Sequence, residues 1–182
     1  KILFINRSEM TSETPGWYYA ESDPLGTKRY WDGDSWSFER MGGNIVMPRL
    51  FAKIIDSLIV GVPVIVVARL FLGVTKVTFG VLLLSIFFTA FYEIGFVTMK
   101  GATPGKELLG FKIVETANGQ SPPRLSTAVR RIGPNLIGAF PFIGVFLGWG
   151  VVGLSLYWLT SDPDRKSAFD RSGGTFVVRT VN

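Results

Sequence analysis

The sequence predicts an all-α multi-pass membrane protein, with three to four transmembrane helices in helical hairpins, a small β-rich N-terminal module and a short cytoplasmic β ribbon. Two observations carry most of this. Mean hydropathy is positive and the apolar residues gather into three long, nearly uncharged runs, as a bilayer core requiring about 20 apolar residues per helix demands. A third is that aromatic and β-branched residues elsewhere alternate with polar ones between turn formers. At 182 residues the chain has room for one membrane domain and one soluble module, not for two ordinary globular domains of roughly 100–150 residues each.

Inventory narrows the chemistry. Cysteine and histidine are both absent, which removes thiolate chemistry, a Ser-His-Asp triad, a His-ligated metal site and His haem ligation. No catalytic residue, metal or cofactor is expected, and the chain is not read as an enzyme. The formal charge is +5, unevenly spread: residues 1–47 hold five basic and seven acidic groups, the remainder fourteen and seven. In a membrane protein a basic bias of this kind sets orientation, so no nucleic-acid partner is expected. Residues 1–8 are too short and polar for a signal peptide. Residues 1–14 are read as a disordered or expression-derived tail, and residues 1–9 are given no functional weight.

The N-terminal module spans 15–40. Asp23, Pro24, Gly26, Asp32 and Gly33 separate short aromatic runs, predicting two or three small strands with Trp17, Tyr30, Trp31 and Trp36 as their core. A fold this small cannot bury every ring, so Trp17, Tyr18, Trp31 and Trp36 are also candidates for docking a partner. Residues 41–47, with Gly42 and Gly43, are expected to be a flexible linker.

The first span is placed at about 49–73, with 57–68 uncharged and Pro63 expected to kink the helix by freeing the carbonyl of Ile59. A second covers about 77–99 with Glu93 its single charge, and Val74, Thr75 and Lys76 form a tight turn between the two. Residues 101–131 are a polar, basic connection in which Leu109, Phe111 and Ile113 alternate ahead of a turn at Asn118 and Gly119. The region 125–160 reads either as one kinked span or as a hairpin. Its apolar core of 29 residues from Ile132 to Thr160 would extend about 43 Å as one helix, too long for a core of about 30 Å. Pro141 is a natural break, with Arg130 and Arg131 snorkelling. The tail 161–182 ends in a β-rich stretch, and Phe176 and Val178 are expected to pair with the strand around Phe111. Basic residues place Arg49, Lys53, the 100–131 connection and the tail with Arg165, Lys166 and Arg171 in the cytoplasm. The N-terminal module then lies inside too, and an even number of crossings favours the hairpin.

Arg49, Lys53 and Asp56 lie on one helical face, and Glu93 stands at similar depth seven residues before Lys100. An unpaired carboxylate in the membrane costs a few kcal/mol, so Asp56 and Glu93 are expected to be protonated or paired with Arg49, Lys53 or Lys100. Two readings stay open: an ion-pair cluster that fixes helix register, or a proton or cation path. Asp170, beside Arg171, is expected to approach Arg49 as a weak surface pair.

The segments PRLFAKIIDSLIVG, TPGKELLGFKIV and FDRSGGTFVV together resemble the RDD family of bacterial membrane proteins, over residues 47–178. The resemblance maps the family's Arg and two Asp onto Arg49, Asp56 and Asp170. Phe169 stands where the family often has His, so no role needing an imidazole transfers there. GWYYAESDPLGTKRYWDGDSW is similar to a short Trp-rich domain of unknown function in actinobacterial membrane proteins, departing at Tyr19, where Pro is usual. The two likenesses imply an actinobacterial plasma membrane. Members of the RDD family are mostly uncharacterised; some are proposed to exchange monovalent cations for protons and others to assist larger assemblies. The leading functional expectation is accordingly a non-catalytic accessory or interaction subunit of a larger plasma-membrane complex, respiratory or transport, with the bilayer and other membrane subunits as partners. A homo-oligomer is compatible with this. The alternative is a cation/proton antiporter acting as an oligomer.

Overall fold

The structure is a computed structural model that describes residues 4–5, 14–20, 23, 27–71, 73, 78–140 and 143–180. In chain order it comprises strands β1 (Phe4–Ile5), β2 (Gly16–Ala20), β3 (Thr27–Trp31) and β4 (Trp36–Gly42), then the helices α1 (Val46–Phe71), α2 (Phe79–Lys100) and α3 (Pro104–Leu108). Strand β5 (Phe111–Glu115), helix α4 (Leu125–Leu136), a 3-10 turn (Ile137–Ala139), helices α5 (Gly144–Ser161) and α6 (Ala168–Gly173), and strand β6 (Thr175–Arg179) complete it. The expected turns at Val74, Thr75 and Lys76, at Pro24 and Gly26, and the break at Pro141 fall outside the described residues.

The helices α1, α2 and α5 are long and apolar enough to cross a membrane. Local chemistry sets their ends. Thr78 caps α2 by accepting from the Val81 N–H at 3.4 Å, and Gly101, at φ +75°, closes it in a conformation that side-chain-bearing residues avoid. Helix α1 runs through Pro63 as one element.

Among the described residues the 125–160 region has two helical legs of unequal length. Helix α4 has 12 residues, about 18 Å, too short to cross. Its chain turns through the 3-10 segment, and Gly144 at the start of α5 sits so close that an added Cβ would lie 2.4 Å from the Gly138 carbonyl oxygen. Helix α5 then returns to the side from which α4 set out: the Ala168 N–H of α6 donates to Ser155 Oγ near the end of α5 at 3.3 Å, and α6 packs on α4.

The strands depart from expectation. Module and ribbon are one six-stranded sheet, ordered β1-β2-β3-β4-β6-β5. β6 fills the gap between β4 and β5, pairing antiparallel with both. Phe176 lies opposite Val114 and Val178 opposite Lys112. Residues 41–47 are therefore not a flexible linker. Met41 and Gly42 end β4, Ile45 is buried, and Val46 opens α1, because those apolar side chains have a sheet and helix ends to pack against. Nor is the whole of 1–14 a disordered tail, since Phe4–Ile5 pairs in parallel with β2.

Period-two alternation explains how the sheet bonds to the helices. One face, with Phe111, Ile113 and Val177, packs on Ile45, Val97 and Ala128 at the helix ends; the other, with Val114, Phe176, Val178 and Met41, packs on Trp17. Lys28 of β3 reaches Asp164 at 2.8 Å, tying the first strands to the last loop.

Candidate functional site: a buried ionic layer under the sheet

Where the helix ends meet the sheet, charged side chains are buried together. Asp170 is wholly buried. It is the N3 residue of α6 in a capping box, accepting from the Ser167 N–H and Oγ at 2.9 and 2.8 Å while its own N–H donates to Ser167 Oγ. The same carboxylate binds two guanidiniums, Arg49 of α1 through Oδ2 and Arg131 of α4 through Oδ1, the latter at 2.6 Å. Burial alone would raise the Asp170 pKa, but Arg49 and Arg131 outweigh it and hold the carboxyl well below the ordinary range. Arg49 also donates to the Arg165 carbonyl at 2.7 Å, and Arg131 to Thr175 Oγ1 on β6. One carboxylate thus joins α1, α4, α6 and the last strand.

Asp56, two turns further along α1, is held by neutral donors. It accepts from Tyr92 Oη at 2.7 Å, Thr103 Oγ1 at 2.6 Å and the Gly105 N–H at 2.8 Å. Gly105 is needed there, because a Cβ would stand 2.4 Å from the Ala52 carbonyl oxygen and 2.8 Å from Asp56 Oδ1. Glu93 lies 3.8 Å from both Lys106 Nζ and Arg131 Nε. Burial pushes the Lys106 ammonium down to about 8, against the opposing pull of Glu93.

These contacts correct several expected pairings. Asp56 has no basic partner within 4.0 Å among the described residues, and Glu93 uses Lys106 and Arg131, not Arg49, Lys53 or Lys100. The reason is tertiary: α3 folds back beneath α1 and α4 lies against α2, so their side chains arrive first. Lys100 instead meets Glu107 at 3.2 Å on the surface. Arg171 leaves the cluster for Asp162 at 2.7 Å and the Trp158 ring at 4.6 Å. Arg131 does not snorkel but is 2% exposed. The Arg49–Asp170 pair is buried, where a surface contact was expected. Lys53 stays exposed, its ammonium 5.4 Å from the Phe169 ring.

Sequence reasoning missed Lys106, Arg131, Tyr92, Thr103 and Ser167. One signal was available for Arg131: Thr127, Ala128, Arg131 and Ile132 form the buried face of α4 at helical spacing, opposite Arg130. The aromatic docking candidates are all half-buried. Trp17 packs edge-on to Tyr30 and Phe176 at 5.4 and 5.3 Å, Trp31 meets Trp36 edge-on as well, and the Tyr18 hydroxyl donates to the Thr14 carbonyl at 2.8 Å.

Two cavities adjoin this layer. One of about 210 Å³ lies between α1, α2 and α3 and is bordered by Asp56, Glu93, Lys53, Lys106, Ser85 and Thr89. The other, about 180 Å³, lies between α1, α4 and α5 and shares Lys53, Glu93 and Lys106 with the first.

No curated protein and no solved structure matches the chain. The family model described as RDD family matches residues 45–174, from the start of α1 to the glycine that ends α6, with β1–β4 before it. With three apolar helices long enough to cross a bilayer and a match over most of its length, the chain is a membrane protein and belongs to the RDD family.

Proposed function

We propose that this protein is a non-catalytic accessory or interaction subunit of a larger plasma-membrane complex, of respiratory or transport type, with its sheet in the cytoplasm. What carries the reading is the way the buried carboxylates are used. Asp170 clamps two arginines, Asp56 is filled by three neutral donors, and Glu93 stands between Lys106 and Arg131. Each fixes one element against another, as expected of a rigid platform. The cytoplasmic assignment rests on Arg49, Lys53, Lys100, Lys106, Arg130 and Arg131 all gathering at the sheet end of the helices. Three candidate spans among the described residues also provide little protein for two gates around a central site. Purification in mild detergent should bring down stoichiometric partner subunits; a lone monodisperse species would count against the proposal.

One observation favours the second reading, a monovalent cation/proton antiporter acting as an oligomer. Asp56 and Glu93 border a single polar cavity. Lys53 and Lys106 in the same wall oppose a cation there. Proteoliposomes holding this protein alone would show pH-coupled sodium flux, abolished by Asp56→Asn, if the second reading were correct.

A further inference from the structure

The cavity between α1, α4 and α5 has donors without acceptors. Four basic residues, Arg49, Lys53, Lys106 and Arg131, border it together with Glu93. Asp170 engages Arg49 and Arg131 from behind, but only through their terminal nitrogens. Arg131 Nε is buried without a hydrogen-bond partner, and its nearest carboxylate oxygen, on Glu93, is 3.8 Å away. Asn135 Nδ2, one turn further along α4, is buried and unpartnered too. Lys106 Nζ has only the 3.8 Å approach to Glu93, and Lys53 Nζ has no carboxylate within 4.0 Å among the described residues. Buried donors in native proteins are almost always satisfied. Here Arg131 and Asn135 of α4 and Lys106 of α3 supply them around an opening, exposed Lys53 of α1 adds a further ammonium, and Glu93 with Asp170 neutralises two of the four cations and leaves a positive excess.

We propose that this cavity binds a phosphate group. Guanidinium, ammonium and amide donors arriving from three elements suit a multi-oxygen anion better than a single-atom one. A cavity of about 180 Å³ has room for one phosphoryl group. Exposed Lys53 of α1 and the exposed apolar Val152 and Leu156 of α5, both helices long and apolar enough to cross a membrane, also border the cavity. Two sources share this chemistry: the phosphodiester headgroup of an anionic lipid, whose glycerol end would meet Val152 and Leu156, and free inorganic phosphate.

The test uses the full chain, purified and stripped of lipid in neutral detergent, with thermal unfolding followed by tryptophan fluorescence. Phosphatidylglycerol in mixed micelles is titrated against neutral diacylglycerol, and sodium phosphate against sodium chloride at matched ionic strength. A saturable rise in Tm with phosphatidylglycerol alone identifies the headgroup, and one with phosphate as well identifies the free ion. Lys53→Gln and Asn135→Asp should each weaken the saturable response by roughly tenfold or more, as loss of a charge-assisted bond does. Lys100→Gln, on the surface outside the cavity, should leave it unchanged. Lys53 is exposed, so its variant keeps the test valid if Asn135→Asp fails to fold. The proposal falls if neither phosphate compound exceeds its control. It also falls if Lys100→Gln weakens the response as much as Lys53→Gln does, which would mean diffuse attraction to a basic surface.

Discussion

The two ends of the helical bundle are built on opposite rules. At the sheet end Asp170, Arg131, Glu93 and Asp56 are buried and each touches a different element, so the charged layer fixes where α1, α2, α4 and α6 stand. Toward the far end Leu70, Phe71, Phe87, Phe146 and Trp149 are exposed, and only 17% of each spanning window is buried within the protein. Lipid tails are as apolar as leucine, so little drives bare helices together in a bilayer. Placement comes from polar contacts at one end, while the other end is left with its apolar side chains exposed.

Breaking the charged layer should therefore cost far more than trimming the greasy end. Asp170→Asn has the largest expected effect: it leaves Arg49 and Arg131 without their shared counter-charge, worth about 3–5 kcal/mol for a buried pair. Thermal unfolding in mild detergent should show a marked drop in Tm. Gly105→Ala comes next, at about 1–3 kcal/mol, because the new methyl meets the Ala52 carbonyl and Asp56; the same scan measures it. Acid should expose the layer as well. The folded pKa of Asp170 is depressed, so its contribution is complete above the unfolded value of 3.8 and is lost as pH falls below that toward the folded value. Stability measured downward from pH 5 should fall in that window, and Asp170→Asn should flatten the slope. Lys100→Gln, which removes an exposed ion pair, should change stability by less than about 0.5 kcal/mol. A comparable drop for Leu70→Ala in detergent would show that the greasy end contributes to folding and would erase the contrast.

How much of this could be read in advance depends on which forces are local. The spans were legible because length and hydropathy are properties of a single segment, and the alternation of Phe111, Ile113, Phe176 and Val178 announced strands that do pair. The meeting of Arg49 with Asp170 was also foreseen, though not its depth. The partners of Asp56 and Glu93 were not. Gly105 and Lys106 belong to a five-residue helix, with Thr103 the residue just before it, hidden in a stretch read as a polar connection, and Arg131 was hidden by its neighbour Arg130. The union of module and ribbon into one sheet was equally invisible. Its key pairing, Met41 opposite Val178, joins residues far apart in the chain, and no local pattern records it.

The place of β6 between β4 and β5 has a consequence for biosynthesis. Until α6 and β6 have left the ribosome, two strands made earlier lie with raw hydrogen-bonding edges turned toward an empty slot, and the arginines below them lack the aspartate that completes their clamp. Membrane insertion can run ahead, but the sheet closes only after β6 has been made. A prematurely stopped chain would carry those open edges on its surface as a handle for quality control.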